Sequence, residues 1–192
     1  QWVAPLLNPM KGEKILDACA APGSKTSHLA ALANDSAEIL AVDRSEKRLK
    51  ILQSNLERLN IKSVETFRAD ATSLIDIKPN LLSHFDKILI DAPCSGIGTF
   101  ARNPDIRWSL TKDKINQLIT LQERLLESIF PLLKRNGFLV YSTCTISPEE
   151  NNLLIKKFLS RNKVLKLDSE RQILPRFDKP GDGFYAAKIS YK

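Results

Sequence analysis

The sequence predicts an α/β protein: an open, doubly wound, mostly parallel sheet of seven strands with helices on both faces. Three observations carry that prediction. Short, nearly continuous apolar runs alternate with longer amphipathic ones, as they do when helices cover both sides of a parallel sheet. The alternation fills all 192 residues without an internal repeat or a low-complexity tract, and that length suits one domain, 1–192, with a single filled core. Small, acidic and sulfur-bearing residues collect at the carboxyl ends of the apolar runs, where sheets of this kind bind ligands.

The elements follow in order. Strands are expected over Lys14–Cys19, Glu38–Asp43, Val64–Asp70, Phe85–Asp91 and Gly137–Cys144. Helices are expected over Ser24–Ala33, Glu46–Leu59 and Lys112–Leu133, the second with Leu49, Leu52, Leu56 and Leu59 on one stripe. A fourth helix starts after Ser147-Pro148-Glu149-Glu150, with Ser147 as cap, Pro148 in the first turn and Glu150 closing a capping box. Val164–Asp168 and Phe184–Ser190 read as two closing strands that make the far edge antiparallel. Ser169–Gly183, rich in Pro, Gly and charge, reads as a surface loop.

Composition narrows the class. Hydrophobic residues make up 43% and charged ones 27%, which excludes a disordered or collagen-like chain. No apolar run approaches the roughly 20 residues of a membrane helix, so no membrane partner is expected. Lys and Arg total 29 against 22 Asp and Glu, a net +7, which suits a polyanion such as nucleic acid and equally describes a basic, solvated surface. Cys19, Cys94 and Cys144 show no CxxC spacing, so neither a disulfide framework nor a metal site is expected; reduced thiols in a cytoplasmic monomer fit. The chain lacks an initiator Met and a secretory signal, and reads as a fragment or a processed chain.

The chemistry is expected on the rim. After the first strand, Cys19-Ala20-Ala21-Pro22-Gly23-Ser24-Lys25 is small enough to bring backbone against a ligand at a helix N-terminus. It is neither a phosphate-binding loop nor a GxGxxG dinucleotide turn, because the required glycines are absent. Asp43 can accept from both hydroxyls of a ribose, or can cap the next helix. Asp70 fits an adenosine site or an ordinary strand stop. Cys94, between Pro93 and Ser95-Gly96, and Cys144, between two threonines, fall on adjacent strand ends beside Asp91. Cys19 suits a buried structural thiol. Lys25 and the helix after Ser147 are candidates to lower a thiol pKa. Arg102, Arg107 and Trp108 can grip phosphate or stack on a base, unless Trp108 packs beneath the helix from Lys112. Lys156, Lys157, Arg161, Lys163 and Lys166 read as a solvated face.

The strings DACAAPGSKT (Asp17–Thr26), AVDRSEKRL (Ala41–Leu49), FDKILIDAPCSGIGTFARNPDIRW (Phe85–Trp108), LVYSTCTISPEEN (Leu139–Asn151) and GDGFYAAKI (Gly181–Ile189) resemble the RNA cytosine-5 methyltransferase family, nearest its bacterial small-subunit ribosomal RNA branch of the Sun or RsmB type. The resemblance implies a class I, Rossmann-like methyltransferase sheet and S-adenosyl-L-methionine as cofactor. It implies cofactor contacts from Cys19, Ala20, Ala21, Pro22, Gly23, Ser24 and Lys25, with Asp43 on the ribose, Asp70 near the adenine and Asp91 between cofactor and base. It further implies Cys144 as nucleophile toward carbon 6 of a cytosine and Cys94 in product release. Ser24 stands where the family usually has Gly, which is harmless unless the backbone there needs a positive φ. Relatives carry RNA-binding segments before this point. Transfer RNA is the alternative substrate, a silent RNA-binding domain or a nucleotide-dependent oxidoreductase the alternative functions.

Overall fold

The computed structural model describes residues 2–175 and 181–192. Its strands are β1 (Lys14–Asp17), β2 (Glu38–Asp43), β3 (Val64–Arg68), β4 (Phe85–Asp91), β5 (Leu133–Thr143), β6 (Leu165–Ile173) and β7 (Phe184–Tyr191). They form one seven-stranded sheet in the order β3-β2-β1-β4-β5-β7-β6. The first five pair parallel; β7 runs antiparallel between β5 and β6. The chain winds outward from β1 to β3 and then returns to β4 on the other side of β1. The β1/β4 boundary is therefore the switch point at which such sheets open a crevice.

The helices are α1 (Val3–Leu7), α2 (Ser24–Leu32), α3 (Glu46–Arg58), α4 (Leu74–Ile77), α5 (Ile106–Ser109), α6 (Lys112–Ile129) and α7 (Asn152–Arg161). Alternate strand residues feed two cores, which is why the strands read as unbroken apolar runs. Leu16, Ile88, Ile90 and Tyr141 pack with Leu126 and Ile129 of α6 and Phe158 of α7. Ile15, Leu89 and Val140 pack on the other face with Val3 and Leu7 of α1 and Leu29 of α2. Leu49, Leu52 and Leu56 line the α3 stripe, whereas Leu59 falls at the C-cap and is 46% exposed.

Four expectations change. Helix α6 stops at Ile129, because Pro131 forces a 3-10 turn over Phe130–Leu132, and β5 begins directly after it. The expected loop after Asp168 instead continues β6 to Ile173, whose exposed, charged side chains hide an edge strand held by β7. Tyr185 Oη donates to Glu170 Oε2 at 2.6 Å across that pair; residues 176–180 of the expected loop lie outside the described residues. Ser147 does not close a capping box: Pro148–Glu150 form a 3-10 turn and Glu150 turns fully inward. Helix α1 has no strong periodicity to betray it and is defined by burial of Val3, Ala4 and Leu7. Among the described residues no helix is long and apolar enough to cross a membrane.

Candidate active site

The rim at the switch point is built from the five loops that follow β1 to β5. After β1, Ala18-Cys19-Ala20-Ala21-Pro22-Gly23 turns into α2. Gly23 takes φ +103°, and a Cβ there would stand 2.9 Å from Leu52 Cγ, so the turn needs glycine at this residue. Ser24 is already the first helical residue, so a side chain is accommodated where the family pattern has glycine. Asp43 at the end of β2 is buried and clamps this turn: Ala21 N donates to its Oδ2 at 3.2 Å and Ser45 N to its Oδ1 at 2.9 Å. From α3, Arg48 donates to Ala21 O and Asn55 Nδ2 to Pro22 O at 3.3 Å. Sequence reasoning missed Arg48 and Asn55, which look like members of a solvated helix face.

Cys19, Asp43 and Asp70 line one cavity with Ala18, Ala71 and Pro93. Asp70 also caps the 3-10 turn after β3, accepting from Thr72 N at 2.9 Å and Thr72 Oγ1 at 2.8 Å. Desolvation pushes its pKa up, but those bonds, with Arg124 and Arg44, outweigh it and leave it below the usual value. Beneath the turn, Asp17 is fully buried. Its Oδ2 accepts from Thr26 Oγ1 at 2.7 Å, while its Oδ1 has no partner among the described residues. Burial drives its carboxyl up to about 7; the Thr26 bond and Lys25 oppose this, and Asp91 and Asp43 add to it.

On the other side of the crevice, Asp91 ends β4. Its Oδ2 accepts from Lys25 Nζ at 2.6 Å and its Oδ1 from Ser142 Oγ at 2.9 Å, so the β1, β4 and β5 loops are joined through one carboxylate. The Lys25 ammonium also lies 5.3 Å from the centroid of the Phe184 ring. Next to this group, Cys94 Sγ and Cys144 Sγ are 3.4 Å apart. Both are free thiols.

The three thiols are separated electrostatically. Cys19 is pushed well above the ordinary value by burial and by Asp17, Asp91 and Asp43, which makes it a poor nucleophile. The contact between Cys94 and Cys144 moves their pKa values in opposite directions. The bond from Cys94 lowers the Cys144 pKa, with help from Lys25 and against desolvation and Asp91; the same bond raises Cys94. Lys25 thus acts on Cys144 as expected. The helix after Ser147 is replaced at that point by the short turn.

That turn has a different use. Glu150, fully buried, accepts from Ser95 N at 2.8 Å, from Ser95 Oγ, and from Gln122 Nε2 of α6 at 3.0 Å. Ser95 Oγ also meets Thr145 Oγ1 at 2.8 Å, and Gln122 Nε2 reaches Pro93 O at 2.8 Å. Asn151 takes a bond from Thr143 Oγ1 at 2.6 Å and gives one to Thr145 O at 3.1 Å. The residues flanking both cysteines are therefore fixed by one buried polar network. Nearby, Gly98 N donates to Cys144 O at 3.1 Å and Gly183 N to Gly98 O at 2.7 Å, so three loops touch backbone to backbone. Trp108 does not pack beneath α6; it is 82% exposed on α5. Among the described residues no cluster of three or more His, Cys, Asp or Glu is placed to hold a metal ion.

The family model of the 16S rRNA methyltransferase RsmB/F matches residues 4–190. The probable ribosomal RNA small subunit methyltransferase B of Synechocystis sp. is 47% identical over 159 residues, 83% of this chain and 35% of that protein. Ribosomal RNA small subunit methyltransferase B of Photorhabdus laumondii is 42% identical over 193 residues, 96% of this chain and 44% of that protein. The structure of NSun6 from Pyrococcus horikoshii with SFG has a TM-score of 0.87 at 32% identity, covering 98% of this chain and 50% of that one. The chain thus spans less than half the length of these two curated relatives. The match begins in α1 and ends in β7, taking in both halves of the sheet, and on that ground the chain belongs to the 16S rRNA methyltransferase RsmB/F family.

Proposed function

We propose that this domain methylates carbon 5 of a cytosine in RNA, with small-subunit ribosomal RNA as substrate and S-adenosylmethionine as donor, through a covalent bond from Cys144. The observation that carries the reading is the 3.4 Å contact between the Cys94 and Cys144 thiols, near the Lys25–Asp91 ion pair. Family membership supports the substrate class.

The residues present fit the cofactor. An adenosine needs an acceptor for its ribose hydroxyls and an apolar wall, and the cavity offers Asp43, Asp70, Ala71, Pro93 and Leu121. The unpartnered Asp17 Oδ1 leaves a buried acceptor next to the turn, suited to a cationic or N–H group. S-adenosylmethionine, when bound, supplies an electrophilic methyl group.

Carbon 5 of cytosine is too weak a nucleophile to take that group unaided. The Cys144 thiolate attacks carbon 6 and forms an S–C bond, and the electron pair of the C5–C6 double bond makes carbon 5 nucleophilic. Negative charge developing at ring nitrogen 3 meets a proton held between the Lys25 ammonium and Asp91. After methylation the nitrogen 3 proton returns to the Lys25–Asp91 pair, a base takes the carbon 5 proton, the C5–C6 double bond reforms and the sulfur leaves as thiolate. Cys94 assists here: its S–H faces the departing Cys144 sulfur and stabilises the thiolate as it forms. The base must be unstacked to reach this crevice, which favours loops and single strands.

The test is transfer from methyl-labelled S-adenosylmethionine to unmodified small-subunit ribosomal RNA, followed by nucleoside analysis. Labelled 5-methylcytidine is expected, abolished by Cys144→Ala, while Cys94→Ala accumulates a protein–RNA adduct on a denaturing gel. An adduct in Cys144→Ala with normal turnover in Cys94→Ala would reverse the roles; label in any other nucleoside would overturn the reading.

A further inference from the structure

Between β4 and α6 the chain makes a long excursion that the steps above do not use. It leaves Cys94, passes the 3-10 turn Ile97–Thr99 and returns through α5 to the start of α6. Under this arm lies a cavity of about 360 Å3, lined by Arg44, Cys94, Ser95, Ser109, Lys114 and Gln117 among others. It shares Arg44 with the cavity holding Asp43 and Asp70, and so lies alongside that site while also reaching a thiol of the reacting pair.

Two features of its lining point to a ligand. Arg44 and Lys114 are exposed, and neither forms an ion pair among the described residues; Lys114 Nζ gives one bond, to Ser109 O at 2.6 Å. Lys114, with no carboxylate partner, and Arg44, whose charge reaches Asp70 but forms no ion pair, suit a phosphodiester. Trp108, adjacent in the chain to the lining residue Ser109, presents its indole to solvent at 82% exposure, the largest exposure of any bulky apolar side chain among the described residues. Arg107 beside it is also exposed and without an ion pair there. An exposed indole that Arg107 precedes and the lining residue Ser109 follows in the chain matches the way proteins hold single-stranded nucleic acid, with stacked bases and a tracked backbone. Of the other bulky apolar residues on the arm, Phe100 is 40% exposed and Ile106 and Leu110 are half-buried, whereas residues 101–105 and Arg107 are exposed and mostly polar, which favours a strand over a broad apolar protein patch.

We propose that this cavity and the Trp108 face form a subsite for an unpaired nucleotide next to the target cytosine, its phosphate on Arg44 and Lys114 and its base stacked on Trp108. The inference rests on the RNA reading above and adds where the strand leaves the reacting centre. It gives the arm a role in gripping the flank of a flipped base, an operation that costs stacking and needs contacts elsewhere to offset it.

The experiment uses the full chain with Trp108→Ala, Trp108→Phe and Lys114→Ala, measuring kcat and KM for ribosomal RNA and the Kd for S-adenosylmethionine. Trp108→Ala should raise KM about tenfold or more with cofactor binding unchanged, and Trp108→Phe should restore most of it. Lys114→Ala should raise KM by a smaller factor and make binding less salt-dependent, by about 0.7 in the log–log slope. In a Trp2→Phe background, indole fluorescence should be quenched by a single-stranded oligoribonucleotide. A wild-type enzyme that transfers no methyl group to RNA sinks the underlying reading. Wild-type turnover with an unchanged KM and no quenching in these tests sinks the subsite alone. A KM unchanged on naked RNA but raised on the protein-bearing ribosomal particle would assign Trp108 to a protein contact and overturn the proposal.

Discussion

Removing the Glu150 carboxylate should loosen both cysteine loops at once, and the structure sets the scale. In Glu150→Ala, Ser95 N–H loses its acceptor, and no other accepts it among the described residues. Ser95 Oγ keeps Thr145, and Gln122 Nε2 keeps Pro93 O. One stranded buried donor costs about 1–3 kcal/mol, and the one lost methylene adds about 0.8 kcal/mol. The total is about 2–4 kcal/mol, or roughly 10 °C in Tm for a domain of this size. Glu150→Gln should behave differently. Its amide oxygen can still accept from Ser95 N and Gln122, while its NH2 faces Ser95 Oγ, which can rotate to accept and donate to Thr145 instead. Urea unfolding should therefore separate the two variants, with Gln costing about 1 kcal/mol. The second readout is the pH dependence of Cys144 alkylation. Its midpoint should rise in Glu150→Ala, because the 3.4 Å contact between Cys94 and Cys144 depends on both loops being held, and should stay put in Glu150→Gln. Equal stability for Ala and wild type, or a Gln variant weaker than Ala, would refute the network argument.

Asp17, whose folded pKa of about 7 lies above the ordinary 3.8, binds a proton in the folded state that the unfolded chain has released, so its contribution to stability should be lost as pH rises from about 4 through 7. Denaturant titrations without cofactor should show Asp17→Asn gaining on wild type across that window, on the order of 4 kcal/mol by its end; a pH-independent difference would contradict the burial argument. Gly98→Ala would place a Cβ 2.4 Å from Gly183 O and 2.8 Å from Cys144 O. Because the obstructing atoms are backbone, a loss of about 1–3 kcal/mol should come with a larger relative fall in kcat, seen by comparing thermal shift with turnover.

The sheet was legible because its signals are local. Ile15-Leu16 and Ile88-Leu89-Ile90 are apolar without a break since both faces are covered, and each run ends at the polar residue that opens the rim. The same logic put Cys94, Cys144, Asp91 and Lys25 on neighbouring loops, which the structure brings into contact. What was hidden depends on distant partners. Ser147-Pro148-Glu149-Glu150 has the letters of a helix cap, yet Glu150 bonds Ser95 and Gln122, 55 and 28 residues away. Arg48 and Asn55 occupy ordinary positions on a charged helix, and only the fold shows their bonds to loop carbonyls. Strand β6 beyond Asp168 lacks alternation because it is an exposed edge whose pairing comes from β7.

The placement of β7 also sets an order of assembly. It follows β6 in the chain yet lies between β5 and β6, and the residue just before it, Gly183, closes on Gly98, which in turn holds Cys144. Gly98 and Gly183 are 85 residues apart, farther than the 72 of the β1–β4 pairing, and a contact that closes so long a loop forms late. A nascent or truncated chain can therefore have β1 to β5 in place, with the cofactor side of the crevice shaped, while the Cys144 backbone still lacks its support. The brace on Cys144 thus depends on β7, and a chain without that strand would keep the crevice walls but leave the Cys144 carbonyl unheld.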